Sequence, residues 1–303
     1  MAASLNLNVV AIVITYKPDL ESLERSLRAL IPQVDGIVVV DNGSNFGKTK
    51  IHSKYFEGIT ELIELGENFG IAHAQNVGIQ WACDRQAKYV LLMDQDSVPA
   101  DDMVQNLLLA VSELEGNHCD FACVGPSYSD KRHNINSPFV RLENFRFTRV
   151  EFVDNVNIVP VDFLISSGCL IPAGVLREVG TMSAEMFIDY VDIEWGKRAH
   201  FMGYQSYGVF SAKMSHSLGG EPLTLWGRSI PTHSPLRAYY RFRNAVLLFK
   251  QPWATNEWIL TEVRRLLFQY VFFTLFLRPR FQYFKMMGVG LWHGIQGKLG
   301  KFK

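Results

Sequence analysis

Short apolar runs alternate with segments of helical periodicity along the first 126 residues of the chain. Val9–Thr15 and Gly36–Val40 have the β-branched, apolar composition of buried strands, and Leu20–Leu30 between them repeats leucine every three or four positions. The same alternation continues with predicted strands at Ile59–Leu65, Lys88–Met93 and Phe121–Val124, and predicted helices at Ile71–Cys83 and from Pro99 or Asp101 to Glu115. This rhythm predicts an α/β protein with a parallel, right-handed sheet of the nucleotide-binding type.

The rhythm changes after Pro126. Residues 127–150 are polar and predict a loop or hairpin, and from Ser234 the pattern is helical, basic and aromatic. Between these segments we expect two strands, two helices and a last strand, at Phe152–Ile158, Val161–Ser166, Pro172–Val179, Tyr190–Met202 and Gln205–Phe210. The chain therefore divides into a predicted catalytic domain, residues 1–232, and a helical C-terminal region, residues 233–303.

Charge is unevenly distributed along the chain. The 303 residues are 48% hydrophobic and 20% charged with a formal net charge of zero, which is typical of a folded protein. Residues 228–303 nevertheless carry thirteen Lys/Arg against two Asp/Glu, mixed with aromatic side chains. This mixture favours contact with an anionic membrane surface over nucleic acid, and a homo-oligomer interface is the alternative. The apolar stretch Leu266–Leu277 has twelve residues, fewer than the ~20 that span a bilayer.

The cysteines and the N-terminus indicate a reducing compartment. Cys83, Cys119, Cys123 and Cys169 lack the spacing of a zinc site, so we expect free thiols. The first residues lead into a strand without the basic and apolar regions of a signal peptide. We therefore expect a cytoplasmic protein.

An acidic triplet, Asp94-Gln95-Asp96, follows the apolar run Tyr89–Met93. Open α/β sheets bind their ligands at the carboxyl ends of the strands. Carboxylates there suit Mg²⁺ or Mn²⁺, which proteins often hold with one or two acids and substrate phosphates. We expect Asp96 to hold the metal and Asp94 to accept from ribose hydroxyls or from a metal-bound water.

Four motifs occur in one order, at Thr15-Tyr16, Asp41-Asn42-Gly43-Ser44, Asp94-Gln95-Asp96 and Phe187–Trp195. In this order they resemble the family 2 glycosyltransferases with the GT-A fold, over roughly residues 7–250. The run Phe187–Trp195, with Ser166-Ser167-Gly168 before it, is most similar to the bacterial rhamnosyltransferase branch. The resemblance implies a mostly parallel central sheet flanked by helices, with a helical C-terminal extension.

Together, the resemblance and the residue chemistry assign a set of groups to the donor nucleotide and its diphosphate: Thr15, Tyr16, Asp41, Asn68, Gly70, Asn76, Asp94, Arg237 and Arg243. Asp41 matches the family's ligand for the N3–H of uracil or thymine, although Asp-Asn-Gly-Ser is also a good turn. Gly70 precedes a predicted helix whose N-terminal amides can face the nucleotide. The alternative is an ordinary capped helix without a ligand. The two arginines suit a donor diphosphate, the diphosphate of a lipid-linked acceptor, or a basic face on the membrane.

The remaining assignments concern the acceptor and the metal. Asp192 matches the family's catalytic Asp, and a carboxylate within reach of the acceptor hydroxyl can take its proton. Gly168, Asp189 and Glu194 are assigned to the acceptor. Asp189 is also expected to cap the following helix. The alternative role for Glu194 is to orient a neighbouring side chain. His216 matches the C-terminal His that often completes the metal shell in metal-dependent GT-A enzymes.

The resemblance implies an inverting transfer of L-rhamnose from dTDP-L-rhamnose to a lipid-linked oligosaccharide of bacterial O-antigen or another surface polysaccharide. It places the protein peripherally on the cytoplasmic face of the inner membrane. A UDP-hexose donor and a non-catalytic membrane scaffold are the alternatives. A nucleotidyltransferase is disfavoured, because Thr15–Asp19 lacks the Gly-rich, basic loop of that class. Gln95 does not identify the sugar.

Overall fold

A computed structural model describes residues 7–44, 58–130, 135–137, 139–154, 156–216, 223–225, 228–230 and 233–302. Its main sheet is built from the strands β1 (Val9–Thr15), β2 (Gly36–Asp41), β3 (Glu61–Glu64), β4 (Tyr89–Asp94), β5 (Ser97–Pro99), β6 (Phe121–Asp130), β7 (Ile135–Ser137), β10 (Ile158–Val161), β11 (Cys169–Pro172) and β12 (Gln205–His216). Two small hairpins join β8 (Phe139–Glu143) to β9 (Arg146–Val150) and β13 (Leu223–Leu225) to β14 (Arg228–Ile230).

The strand order places a topological switch at β1. The sheet runs β10-β12-β6-β11-β4-β1-β2-β3, and the neighbours β4, β1, β2 and β3 are parallel. The chain moves from β1 outward to β2 and β3, then returns to the other side of β1 as β4. A crevice forms at such a reversal, outside the carboxyl ends of the strands.

Helices cover both faces of the sheet. They are α1 (Leu20–Leu30), α2 (Ile71–Asp84), α3 (Met103–Gly116), α4 (Ala173–Val179), α5 (Val191–Phe201), α6 (Pro235–Leu248), α7 (Asn256–Phe276) and α8 (Arg280–Ile295). Alternate residues of β1 point to opposite faces, as expected for a strand. Val9, Ala11 and Val13 pack with α1 and α3, while Val10, Ile12 and Ile14 belong to a core shared with α2, α4, α5 and the last three helices.

The C-terminal helices share a core with the preceding sheet. Phe242, Trp258, Phe273 and Met287 lie in the same buried cluster as Ile12 of the first strand. The proposed boundary at residue 232 is therefore a change of local pattern, and the helical region packs directly onto the α/β core. None of the helices in the described ranges is long and apolar enough to cross a membrane.

Most predicted elements are present. Before Pro126 the strand β5 (Ser97–Pro99) was missed, and the helix expected from Pro99 or Asp101 begins at Met103; the other exceptions lie after Pro126. The hairpin expected within residues 127–150 is formed by β8 and β9. The strands predicted at Phe152–Ile158 and Val161–Ser166 were wrong, because only Ile158–Val161 pairs in the main sheet. The strand Cys169–Pro172 was missed, because four residues that end in proline are too few to show an alternation of apolar and polar positions. Antiparallel pairing with β4 nevertheless places this strand in the middle of the sheet.

Candidate active site

Three polar residues meet at the switch point. Thr15 ends β1 opposite Asp41 of β2, and Ile14 lies opposite Asp94 of β4. Because neighbouring strands lie about 4.8 Å apart, the backbones of Asp41 and Asp94 lie within about 10 Å of each other. The structure therefore brings the donor residues predicted on three strands to one edge.

Asp41 is fully buried and holds the loop that follows it. Its Oδ1 accepts a hydrogen bond from the hydroxyl of Thr15 (2.9 Å), and its Oδ2 accepts one from the backbone N–H of Ser44 (2.7 Å). The turn role that the sequence left open is thus present. The predicted contact of Asp41 with the N–H of a base stays a prediction.

The loops after β2 and β3 are tied together by asparagine side chains. Asn42 accepts a hydrogen bond from the backbone N–H of Phe69 (2.9 Å) and donates to the Oδ1 of Asn68 (3.2 Å). That oxygen also accepts from the N–H of Gly70 (2.9 Å). Asn68 and Gly70 therefore build the entry to α2 beside Asp41, and their contact with a nucleotide stays a prediction.

Gln95, in the middle of the acidic triplet, joins two loops of the site. Its Oε1 accepts from the backbone N–H of Tyr16 at 2.7 Å, so the loop after β1 is fastened to the loop after β4. The Tyr16 side chain is exposed. Sequence analysis assigned no role to Gln95. Its position between the two acids of the triplet could have indicated that its polar side chain contacts a neighbouring loop.

Buried serine side chains form hydrogen bonds beneath the acidic triplet. Ser167 Oγ accepts from the backbone N–H of Asp94 (3.1 Å) and donates to Ser97 Oγ (2.7 Å), while Ser26 donates to the Ser97 carbonyl (2.6 Å). Gly168 follows with φ of +82°, and a Cβ there would lie 2.5 Å from Pro126 Cγ. Gly168 is therefore required by packing, and its predicted contact with the acceptor is untested.

The donor set of the triplet fits a hard divalent cation. Asp94 and Asp96 are partly exposed at the crevice, and both offer carboxylate oxygens, the ligands that Mg²⁺ and Mn²⁺ prefer. In the antiparallel pair of β12 and β5, the backbone of His216 lies opposite Ser97, one residue after Asp96. The His216 side chain lies outside the described residues. Among the side chains that are described, no three acids, histidines or cysteines form a metal cluster.

The segment between Met186 and α5 has an unusual backbone. Phe187, Asp189 and Tyr190 have φ values of 66°, 63° and 66°, in the left-handed region that non-glycine residues rarely adopt. Such conformations cost of order 1–3 kcal/mol each and persist only where the surroundings impose them. This segment leads directly into Asp192, in the first turn of α5.

Asp192 has the environment of a general base. Burial, together with the negative charges of Asp189 and Asp94, raises the pKa of its carboxyl to about 6. The backbone N–H of Ile193 donates to its Oδ1 at 2.9 Å, which acts in the opposite direction. Asp192 lines a small cavity together with Leu92 of β4, two residues before Asp94. A carboxylate with a pKa near 6 is ionised at neutral pH and basic enough to accept a proton.

Asp189 does not cap α5, contrary to our expectation. The residue before this helix is Tyr190 in a left-handed conformation, and no side chain caps the helix. Instead the two carboxylate oxygens of Asp189 share the single N–H of Arg237 Nε (3.2 and 3.1 Å), and Asp189 pairs with Arg241 at 3.8 Å. Arg237, assigned to the donor, thus reaches this segment while its side chain stays 40% exposed.

Two other predicted ligands are engaged within the protein. Glu194 is buried in a bidentate pair with Arg198 (2.7 and 2.9 Å), which favours the alternative that it orients a neighbour. Asn76 exchanges two hydrogen bonds with the backbone of Met182 (2.8 and 2.9 Å). Through these contacts both residues stabilise the polypeptide around Asp192.

Arg243 needs the clearest correction. Its side chain is almost fully buried, where it donates to the carbonyl oxygens of Met186 (2.9 Å), Glu185 (3.3 Å) and Gly300. Its guanidinium carbon also lies 4.9 Å from the ring centroid of Tyr240. A guanidinium enclosed in this way braces the polypeptide and does not present itself to a diphosphate. The motif was visible in the sequence, but the burial that decides its role was not.

Comparison with known families and proteins agrees with this geometry. The family described as "Glycosyl transferase family 2" matches residues 10–170. The chain is 31% identical over 301 residues to the dTDP-rhamnosyl transferase RfbF of Shigella flexneri, and the match covers 98% of each chain.

Two solved structures have a similar fold. One is GalNAc-T7 with UDP, GalNAc and Mn²⁺ (TM-score 0.61, 12% identity), where the match covers 96% of this chain and 56% of that chain. The other is S. aureus TarS 1-349 (TM-score 0.60, 17% identity), with 96% and 81% covered. The predicted GT-A fold and the predicted family are confirmed. The chain belongs to glycosyl transferase family 2.

Proposed function

We propose that this protein is an inverting rhamnosyltransferase that moves L-rhamnose from dTDP-L-rhamnose to a lipid-linked acceptor in bacterial surface-polysaccharide synthesis. The donor assignment is supported by the full-length likeness to a dTDP-rhamnosyl transferase. The reaction type is supported by one observation above all: a partly buried Asp192 lines a cavity with Leu92 of β4, two residues before Asp94 at the switch point of the sheet.

In the proposed reaction Asp192 takes the proton of the acceptor hydroxyl. The oxygen of that hydroxyl attacks the anomeric carbon from the face opposite the diphosphate, the bond from that carbon to the diphosphate breaks, and dTDP leaves. Asp41 and Thr15 hold the loop that borders the nucleoside end, and Asp94 accepts from the ribose. Arg237, which retains exposed surface, is positioned by Asp189 and contributes positive charge beside the reacting groups.

A divalent cation fits the proposed site, with Asp96 and His216 as its protein ligands. When bound, Mg²⁺ or Mn²⁺ would neutralise negative charge on the leaving diphosphate. The pairing of the His216 backbone with Ser97 supports this ligand set, as does the Mn²⁺ named in one structure of similar fold. Asp96→Ala and His216→Ala should each raise the concentration of Mn²⁺ needed for half-maximal activity. An unchanged requirement would remove that residue from the site.

The membrane proposal is supported by an apolar and basic surface on the last two helices. Among the aromatic side chains of these helices, Trp258, Phe272, Phe273 and Tyr283 are buried in the core. The exposed apolar residues are Leu260, Leu267, Phe268, Val271, Leu275, Phe276, Phe281, Phe284, Trp292 and Ile295. The exposed cations Arg264, Arg278, Arg280, Lys285 and Lys298 accompany them. This mixture is typical of a surface that inserts shallowly into anionic lipid.

The donor is tested by a panel of sugar nucleotides. The purified protein is incubated with dTDP-L-rhamnose, UDP-glucose, UDP-galactose or UDP-GlcNAc, with Mn²⁺ and a lipid extract as acceptor source, and the released nucleoside diphosphate is measured. We expect release from dTDP-L-rhamnose alone, and a larger thermal stabilisation by dTDP than by UDP. Preferential turnover of a UDP-sugar would overturn the rhamnose assignment and favour the UDP-hexose alternative.

A further inference from the structure

The side chain of Asn244 makes an unusual set of contacts with the segment that leads to Asp192. Its Nδ2 donates to the carbonyl oxygens of Met186 (3.0 Å), Ile188 (2.8 Å) and Asp189 (2.9 Å). An amide group has two N–H bonds, so the three acceptors share them. Asn244 has no exposed surface, and water therefore cannot replace these contacts.

The carbonyls that Asn244 holds belong to the strained part of the backbone. Ile188 lies between Phe187 and Asp189, and both of these residues have positive φ. With nothing to impose this conformation, the segment would relax toward the ordinary β or α regions, because each residue gains free energy by doing so. Relaxation of this segment would change the orientation of the first turn of α5, which contains Asp192.

Further groups from the C-terminal region fix Asn244 itself. Arg243 Nε donates to its Oδ1 at 2.9 Å, and the ring of Tyr240 stacks on Phe187 with centroids 4.9 Å apart. On α8, Gly294 lies so close to the carbonyl oxygen of Arg243 that a Cβ there would be 2.7 Å from it. Asn244 is therefore a rigid support, as a positioning residue must be.

We propose that Asn244 is a positioning residue for transfer: it holds residues 186–190 in the conformation, with positive φ at Phe187, Asp189 and Tyr190, that presents Asp192 to the acceptor hydroxyl. The inference rests on the proposed role of Asp192 as base. It makes the helical C-terminal region part of the catalytic machinery, in addition to any contact with lipid. An asparagine in the middle of a helix is unfavourable locally, which was the signal in the sequence.

The test compares Asn244→Ala and the isosteric Asn244→Asp, which keeps an acceptor for Arg243 but loses the N–H donors. We expect kcat per folded molecule to fall by about 100-fold, as for a reactive group displaced by about 1 Å. The KM for dTDP-L-rhamnose and the Kd for dTDP should stay within about threefold of wild type, because Asn244 contacts no donor residue on the strand ends.

Thr261→Val is the matched control, since Thr261 is also buried in the C-terminal helices and donates only to the carbonyl of Glu257 (2.8 Å). It should lower the melting temperature and leave kcat unchanged. Near-normal kcat in either Asn244 variant would overturn the proposal, and so would a loss confined to donor affinity. Failure of both variants to fold while Thr261→Val folds would also overturn it, because Asn244 would then support the fold. An active Asp192→Asn protein would reject the base separately.

Discussion

The backbone N–H of Ile71 donates a 2.7 Å hydrogen bond to the carbonyl oxygen of Phe187. Ile71 begins α2 beside the proposed nucleotide loops, and Phe187 belongs to the strained segment before Asp192. This bond joins the donor side of the crevice to the acceptor side. Gly70 makes the approach possible: its φ is +92°, and a Cβ on it would lie 2.5 Å from the same carbonyl oxygen.

Gly70→Ala should therefore separate the two sides of the crevice. The new methyl group cannot coexist with the Phe187 carbonyl, so the segment must move away from α2. We expect at least about 2 kcal/mol loss of stability, from backbone strain together with the steric contact. We also expect transfer to fall by about 100-fold, measured as kcat on the folded fraction.

Gly66→Ala is the control for backbone strain alone. Gly66 also has a positive φ, +79°, but a Cβ there meets nothing within 4 Å. This variant should lose only about 1–2 kcal/mol, the usual cost of a left-handed non-glycine residue, and retain kcat. Equal losses of kcat in the two variants would mean that the contact with Phe187 does not matter for transfer.

The pKa of Asp192 determines the acid limb of the pH profile. Burial, with Asp189 and Asp94 nearby, raises this pKa to about 6, and a base must be ionised to act. We expect kcat/KM to be nearly constant above pH 7 and to fall about tenfold per pH unit well below pH 6. The profile is measured at saturating Mn²⁺ with dTDP binding followed in parallel. An acid limb near pH 4 would show that Asp192 is not the titrating group.

A buried polar triad connects the strained segment to α7. The hydroxyl of Tyr190 donates to Glu262 Oε2 (2.7 Å), Arg265 donates to that hydroxyl (2.8 Å), and Arg265 pairs with Glu262 at 3.0 Å. Glu262 has no exposed surface. Glu262→Ala should destabilise the protein by about 1–3 kcal/mol, because it leaves the buried Tyr190 hydroxyl and the partly exposed Arg265 guanidinium without their shared partner. Urea unfolding measures this change.

Glu257→Ala is the matched control on the same helix. Glu257 also accepts a hydrogen bond, from the backbone N–H of Phe145 (2.7 Å), but the residue is partly exposed. A change of about 1 kcal/mol or less is expected there. Similar values for the two variants would show that burial of the triad contributes little.

The exposed face of the last helices should determine lipid affinity. Phe268 and Phe281 are 63% and 74% exposed, and each replacement by Glu removes apolar surface and adds like charge against anionic lipid. We expect Phe268→Glu/Phe281→Glu to reduce co-sedimentation with phosphatidylglycerol vesicles by at least about tenfold. Leu109→Glu, at a 60% exposed position on α3, should bind as wild type.

Two results would contradict this membrane assignment. One is unchanged vesicle binding by the double variant. The other is a wild-type protein that ignores vesicles and elutes as a dimer that the double variant breaks, since a second copy of the chain would then cover the face. Retained transfer to a water-soluble acceptor serves as the control for folding.

The first half of the fold could be predicted because its signals are local. Val9–Thr15, Leu20–Leu30 and the acids that end β2 and β4 follow from period and strand-end chemistry alone. The strand Cys169–Pro172 could not be predicted this way, because its place in the sheet comes from long-range pairing with β4. Tertiary contacts there override local propensity.

The site shows the same division. The order of motifs identified the acids at the crevice, but the partner of each side chain depends on burial. Arg243 and Glu194 have residue types that bind ligands, and both are instead enclosed by backbone carbonyls or a facing charge. Asn244 had no assigned role, although a buried amide in a helix interior requires partners. The residue type indicates which side chains are able to bind a ligand, and the packing around each side chain determines whether it is free to do so.

The most direct measurement is the turnover of Asp192→Asn with dTDP-L-rhamnose, with dTDP affinity determined on the same preparation. The substitution keeps the size of the side chain and removes its ability to take a proton. We predict that transfer falls by at least about 1,000-fold while the Kd for dTDP changes less than about threefold. Turnover within about tenfold of wild type would contradict the assignment of Asp192 as the base and, with it, the proposed reaction.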